Sequence, residues 1–370
     1  MLPVVMMWQL LLPAVFAHAA GPAVSPRQSR LVETATPTIA RMAHTATPLA
    51  DGRILVAGGF TDPAQAAHSA ELYDPGQRRF VPLPRMIVPR HSHSSTLLSD
   101  GRVLIAGGYD VSNRPVATVE RFDPVHGRFE RVGSMTEPRA GHLAFRLPDG
   151  TVLLAGGVGP SWRFLASAEL YDANTNRFTP VGAMSVPRES HAGALLRDGR
   201  VLIVGGHRDR REAITLYRTA EVYDPVRRRF FATGSMHIRR HKHDALRLAD
   251  GRVLVSGGSD ERDDLGAYRS TELYDPTTGR FTPGPEMQLA RYKHERTSVL
   301  LDDGRVLLGG GARAAEVMDV ASGRSALVPS PSPLAGQFSA VAPMRNQRVL
   351  LTGGYGNGAG PRQLAWEFVP

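Results

Sequence analysis

The apolar residues of this chain come in short, dense runs that end on paired glycines. RVLIAGG (102–108) is typical, and the pairs fall at 58–59, 107–108, 156–157, 205–206, 257–258, 310–311 and 353–354, in steps of 49, 49, 49, 52, 53 and 43 residues. A run this short with no polar interruption suits a strand buried on both faces better than a helix, which needs more length. Ahead of the first six runs stands Asp-Gly (51–52, 100–101, 149–150, 198–199, 250–251 and 303–304), preceded by a second strand-like segment such as HSSTLLSD (93–100). Asp-Gly between apolar runs predicts a hairpin, because glycine accepts the positive φ of a tight turn. Beyond the glycines, a loop of variable length leads to a third strand, AELYDP (70–75) or AEVYDP (220–225). A turn then leads to a fourth, FERVGSM (129–135) or FTPVGAM (178–184).

Self-similarity at a period of about 50 residues predicts a repeat architecture, and four antiparallel strands per repeat predict the blade of a β-propeller. The third and fourth strands carry aromatic residues seven apart: Tyr73/Phe80, Phe122/Phe129, Tyr171/Phe178, Tyr223/Phe230 and Tyr274/Phe281. An apolar strand ending in Gly-Gly, then one aromatic and a second at fixed distance, resembles the kelch-repeat family, with Phe standing where that family usually has Trp. The resemblance implies an all-β, seven-bladed propeller spanning residues 31–370 as one domain. The sixth repeat is degraded, with Met318 and Ser325 at its aromatic positions. The seventh offers two strands over Phe338–Gly354 and a third in LAWEFVP (364–370). Its fourth is expected from the other end of the chain. In repeats two to five the fourth-strand Phe lies ten residues before the Arg that opens the next repeat, and ten before Arg41 is Leu31, in LVETAT (31–36). That strand is expected to complete the last blade and close the ring, leaving no edge that an open array would expose.

Composition narrows the chemistry. Cysteine is absent from all 370 residues, which excludes disulfides, thiolate sites and the Tyr–Cys cofactor of kelch-like copper oxidases. The formal charge is +9, but 42 of the 44 basic residues are Arg, spread along the whole chain, and the two lysines are Lys242 and Lys293. A nucleic-acid surface needs clustered charge, so no such partner is expected. Val4–Phe16 is an apolar run too short to span a bilayer, followed by the small-x-small pattern Ala17-His18-Ala19. Residues 1–19 are therefore expected to be a signal peptide and 20–30 a short linker, with the mature protein periplasmic or secreted.

Six repeats open with Arg-x-x-His: Arg41/His44, Arg90/His93, Arg139/His142, Arg188/His191, Arg240/His243 and Arg291/His294. Repetition in one register points to a scaffold role, satisfying backbone carbonyls where one blade hands over to the next. The first strand of a blade is innermost, so these residues ring the channel mouth, where arginines would also attract anions. Departures from the repeat are more informative. Lys242 and Lys293 directly precede a ring His, His241, Tyr292 and Glu295 lie beside them, and the loops at 207–220 and 259–271 are the longest after the glycines. The candidate ligand-binding residues are Arg208, Arg239, His241, Lys242, Arg291, Tyr292 and Lys293. Neighbours on a strand face opposite ways, so Lys242 and His243 can both face the channel only if the strand begins after them. Asp260, Glu261, Asp263 and Asp264 lack the ligand periodicity of a calcium loop, so neither metal nor cofactor is expected.

No HExxH, GxSxG, phosphate-binding loop or sialidase-type Asp box occurs. The expected function is an exported, non-catalytic platform that binds a protein or an anionic glycan through its loop face, as a monomer without a membrane span. The alternative is a secreted or periplasmic sugar-modifying enzyme, of epimerase, mutarotase or lyase type, acting on acidic sugars. Glu189, His191 and Glu295 would be its acid/base candidates.

Overall fold

Seven four-stranded antiparallel sheets make up the computed structural model, which describes residues 29–61, 65–210, 213–356 and 360–370. The expected signal peptide, and residues 20–28 of the expected linker, lie outside the described residues. In blade one the strands Thr45–Pro48, Ile54–Ala57, Ala70–Asp74 and Arg79–Pro82 follow one another outward in up-and-down order. Innermost strands touch in ring order, and Thr45–Pro48 meets Ala340–Pro343 of blade seven to complete the circle. Among the described residues no helix is long and apolar enough to cross a membrane.

Packing on two faces explains the dense apolar runs. Leu55 and Ala57 share a core with Val103 and Ile105 of blade two, whereas Ile54 and Val56 share one with Ala342 and Leu350 of blade seven. Each second strand is a wall between two cores, so it has no polar face to alternate with. The aromatics spaced seven apart are cross-strand partners, from Tyr73 opposite Phe80 to Tyr274 opposite Phe281, with ring centroids 4.8–5.0 Å apart. Such pairs add about 0.5–1.5 kcal/mol beyond the area they bury. In blade six the same register sets Met318 opposite Ser325.

The ring closes as the spacing of Leu31 predicts. Arg30–Glu33 pairs antiparallel with Ala365–Val369, with Leu31 opposite Phe368. Leu31 is 3% exposed and shares a core with Leu334 and Trp366.

Each repeat Arg is a strut. Arg41, Arg90, Arg139, Arg188, Arg240 and Arg291 are fully buried, and each donates to the carbonyl of the first paired glycine of its own blade at 2.6–2.9 Å. Each also pairs with a third-strand Glu (Glu71, Glu120, Glu169, Glu221, Glu272 or Glu316) at 2.6–3.3 Å. The Glu in turn accepts backbone N–H groups from the incoming linker, as Glu120 does from Ile87 and Val88. Blade seven lacks both partners. Gly336 takes the Arg place, its carbonyl accepting from Gly311 as that of Arg139 accepts from Gly108. Trp366 takes the Glu place, opposite Leu351 as Glu71 is opposite Val56. One buried charge without the other would be strongly destabilising, so the two are replaced together.

Candidate functional site

Two residues separate the ring Arg from the ring His, and the second adopts a left-handed backbone in every blade. Ala43, Ser92, Gly141, Ser190, Lys242, Lys293 and Phe338 have φ between 50° and 62°. The turn lets the N–H at this position reach the carbonyl of its counterpart one blade back: Ser92 to Ala43, Gly141 to Ser92, Lys242 to Ser190, Phe338 to Lys293 and Ala43 to Phe338, at 2.9–3.1 Å. The result is a backbone belt around most of the channel mouth, five links of a possible seven. All seven positions line one cavity of about 570 Å³.

The ring histidines hold the wall behind this belt. His93 lies against Gly58 of the preceding blade, where an added Cβ would come within 2.6 Å of its ring, and His142 against Gly107 likewise at 2.9 Å. In blades one to six the second glycine faces its own blade's His, and a Cβ added to Gly59, at φ 98°, would come within 2.8 Å of the His44 Cβ. Burial, followed by the charge of the adjacent Arg, holds His44, His93, His142 and His243 well below the usual imidazole range. Burial likewise brings His191 down to about 3 and His294 to about 4. These rings are neutral wedges at pH 7. The strand of blade five starts at Asp244, so His243 wedges against Gly205 while Lys242 lines the cavity.

Seven blades supply different chemistry to the mouth. Blades one to three give an aromatic arc: Phe60 stacks on His91 at 3.6 Å, His91 on Tyr109 at 5.1 Å, and Trp162 leans on Tyr109 at 5.7 Å. Trp162 is 49% exposed, and its other neighbour is the Arg210 guanidinium, 4.0 Å from the ring centroid. Arg210 donates to both oxygens of Glu189 at 3.0 and 3.3 Å, and His207 Nε2 lies 3.4 Å from the same carboxylate. Burial alone would raise Glu189, but the His207 hydrogen bond and the Arg210 charge outweigh it and hold the carboxyl below its ordinary value. Lys242 Nζ donates to Asp263 Oδ1 at 2.7 Å and to the Tyr292 hydroxyl at 3.0 Å. Lys293 sits among the rings of Tyr292, Phe338 and Tyr355.

Blade six adds a bulge. Its first strand begins only at Ser298, and Glu295 and Arg296 project into the channel ahead of it. Desolvation pushes the Glu295 carboxyl up to about 7, the opposite displacement from that of Glu189 in the same cavity. Arg296 reaches across toward the Ala144 carbonyl of blade three at 3.4 Å and lies over Phe145.

The structure brings together some of the predicted residues and sets others apart. Lys242, Lys293, Glu189, His191 and Glu295 line the cavity, with Tyr292 beside both lysines. His241 is buried one layer out, 3.3 Å from the His207 ring and 3.0 Å from Ser259 Oγ. Arg291 is a fully buried strut, Arg239 pairs at the surface with Glu261, and Arg208 lies beside Asp209, so none of these three lines the cavity. Sequence reasoning missed Trp162, His207, Arg210 and Arg296. Two signals point to His207 and Arg296: the residue after Gly-Gly, and the 12 residues from Arg291 to Asp303 where the other repeats have ten from Arg to Asp-Gly. Neither signal reaches Trp162 or Arg210. Among the described residues no group of three or more His, Asp or Glu is placed to hold a metal ion.

A ring of seven blades with a cavity of charged and aromatic side chains at the channel mouth defines a β-propeller of the kind that serves as a binding platform or scaffold, presenting variable loops on rigid blades. The Kelch motif family model matches residues 41–87 and 90–136, and the same strand order and Gly-Gly ends recur around the ring. Two of its repeats thus carry the Kelch motif, and the whole ring has the blade arrangement of a kelch-repeat propeller. No curated protein matches it. Among solved structures it is similar to a novel fungal alcohol oxidase of the AA5 family, in complex with copper. The TM-score is 0.72 and the identity 16%, over 93% of this chain and 76% of that one, a likeness of fold.

Proposed function

We propose that this propeller is an exported binding platform whose channel mouth takes a small acidic sugar. One observation carries the reading: Arg210, Lys242 and Lys293 face the same cavity as the arc of Phe60, His91, Tyr109 and Trp162. Cations beside aromatic faces match a ligand that has a carboxylate on an otherwise ring-shaped, partly apolar body. Export is part of the proposal and is supported by the apolar run at 4–16 and the cleavage pattern at 17–19. N-terminal sequencing of the mature protein should find a start near Ala20, and an exported fraction still beginning at Met1 would count against it.

Binding is tested by thermal shift and calorimetry with glucuronate and sialic acid, against glucose as the neutral control. Acidic sugars should raise the melting temperature, less so at high salt, and the double variant Lys242→Ala/Lys293→Ala should lose most of the effect. Equal silence toward acidic and neutral sugars would remove the reading.

A second reading is favoured by the two carboxyls. Glu189 is held ionised while Glu295 titrates near neutrality, and environments that push two acids apart in one cavity suit acid/base work on a sugar. The partners of Glu189 are His207 and Arg210 rather than a ring His. Under this reading Glu295→Gln abolishes catalysed anomer exchange of a bound uronic acid, followed by NMR, and an uncatalysed exchange rate in the parent protein rejects it.

A further inference from the structure

We infer that Lys293 is a nucleophilic amine that forms a reversible imine with a small carboxylate carrying an aldehyde or ketone, with Glu295 as the acid that serves it. This chemistry depends on the anion binding proposed above, because Lys242, Arg210 and Arg296 would hold the ligand's carboxylate while its carbonyl meets Lys293.

The chain uses Arg for 42 of 44 basic residues and places its two lysines at equivalent positions of adjacent blades, both on the cavity wall. Arg would supply charge at either place. Only an amine can shed a proton and attack a carbonyl carbon. The two lysines are held differently. Lys242 is ion-paired with Asp263, and its Nζ is engaged there and by the Tyr292 hydroxyl. Lys293 has no carboxylate within ion-pair distance among the described residues. Its Nζ is hydrogen-bonded to the Tyr355 hydroxyl and lies 4.8, 5.2 and 5.1 Å from the ring centroids of Tyr292, Phe338 and Tyr355. Burial among these rings lowers the Lys293 pKa below that of an ordinary lysine and raises that of Tyr355, so the hydroxyl keeps its proton.

The step balances without an oxidant or reductant. The Lys293 lone pair forms a C–N bond to the carbonyl carbon, and one of the two nitrogen protons passes to the carbonyl oxygen to give a neutral carbinolamine. The nitrogen lone pair then forms C=N as the C–O bond breaks, and the hydroxyl departs as water with the proton of the Glu295 carboxyl. The protonated imine returns its N–H proton to the Glu295 carboxylate. Amine and carbonyl become imine and water. Glu295 is partly protonated at neutral pH, so it can give that proton and recover it.

The test is reductive trapping of the full chain with pyruvate or glyoxylate and borohydride, followed by peptide mapping. With two lysines and one α-amino group, every adduct is assignable. Lys293 should be labelled about tenfold or more over Lys242, saturably, and Lys293→Arg should remove the label while leaving the near-ultraviolet circular dichroism intact. No adduct on native Lys293, or equal labelling of both lysines, overturns the assignment. Lactate, a similar carboxylate without the carbonyl, separates the two ideas. A lactate-induced thermal shift without a pyruvate adduct refutes the amine chemistry alone, and an adduct on Lys293 without any anion-induced shift refutes the anion-binding reading alone.

Discussion

The Asp244 carboxylate accepts the backbone N–H of Arg296 at 2.8 Å, and it also takes those of Thr297 and Ser298 at 3.0 and 2.8 Å. Asp244 stands directly after its ring His, where other blades place Thr45, Ser94, Leu143 or Ala192. One buried carboxylate thus anchors the extra residues of blade six and aims Glu295 and Arg296 into the channel. Asp244→Ala leaves three N–H groups without their acceptor and should cost about 2–4 kcal/mol in urea denaturation. Asp244→Asn, which keeps one acceptor oxygen, should cost less. Equal stability of the parent protein and the Ala variant would show that the bulge holds itself.

The absence of both Arg and Glu from blade seven predicts how the other struts respond. Arg240→Met alone strands Glu272 and should cost about 3–5 kcal/mol. Adding Glu272→Leu should recover much of that loss, because the pair is then removed as blade seven removes it. A double variant as unstable as the sum of the two singles would contradict this.

Closure of the ring rests on one short strand. Leu31→Asp puts a charge into the core shared with Trp366 and Phe368, and should lower the melting temperature and promote aggregation through the freed edge of Ala365–Val369. Light scattering on heating checks this.

Acid should unfold the protein early. The six ring histidines are neutral when folded and titrate near 6.5 when unfolded, so below that pH the unfolded state binds more protons. Stability should be flat above pH 6.5 from this source and fall steeply toward pH 4. A denaturation midpoint that does not change between pH 7 and pH 4.5 would show that the rings are not neutral wedges.

Glu295 acts with the opposite sign. Its folded pKa of about 7 exceeds the ordinary 4.5, so the folded state binds the extra proton and loses stability as pH rises through that interval. Glu295→Gln should therefore stabilise the protein at pH 8 by on the order of 2 kcal/mol, and by almost nothing at pH 4. Equal effects at both values would place the carboxyl in an ordinary environment.

Much of the architecture is local and was legible for that reason. Asp-Gly makes its turn from its own backbone freedom, an unbroken apolar run requires burial on two faces, and Tyr73 and Phe80 are seven apart because a tight turn sets them opposite each other. Even closure could be read, since the ten residues from Leu31 to Arg41 repeat the linker length of the other blades. Repetition of Arg-x-x-His pointed to the scaffold, and Arg240 is the strut that the repeat implies. His243, by contrast, was expected to bond to the backbone and instead wedges against Gly205, with neither ring nitrogen bonded among the described residues.

The site was decided elsewhere. Trp162 with Arg210, Glu189 with His207, and Lys293 with Tyr355 join residues from different loops or blades, and no spacing in the chain relates their side chains. Glu189 and Glu295 are both glutamates in the sequence. Their protonation is set apart by what the closed ring places around each one: hydrogen bonding and positive charge at Glu189, loss of water at Glu295. Local sterics and burial act over a few neighbouring residues and can be read along the chain, whereas solvent exclusion and charge act through space and exist only once seven blades have closed around one channel.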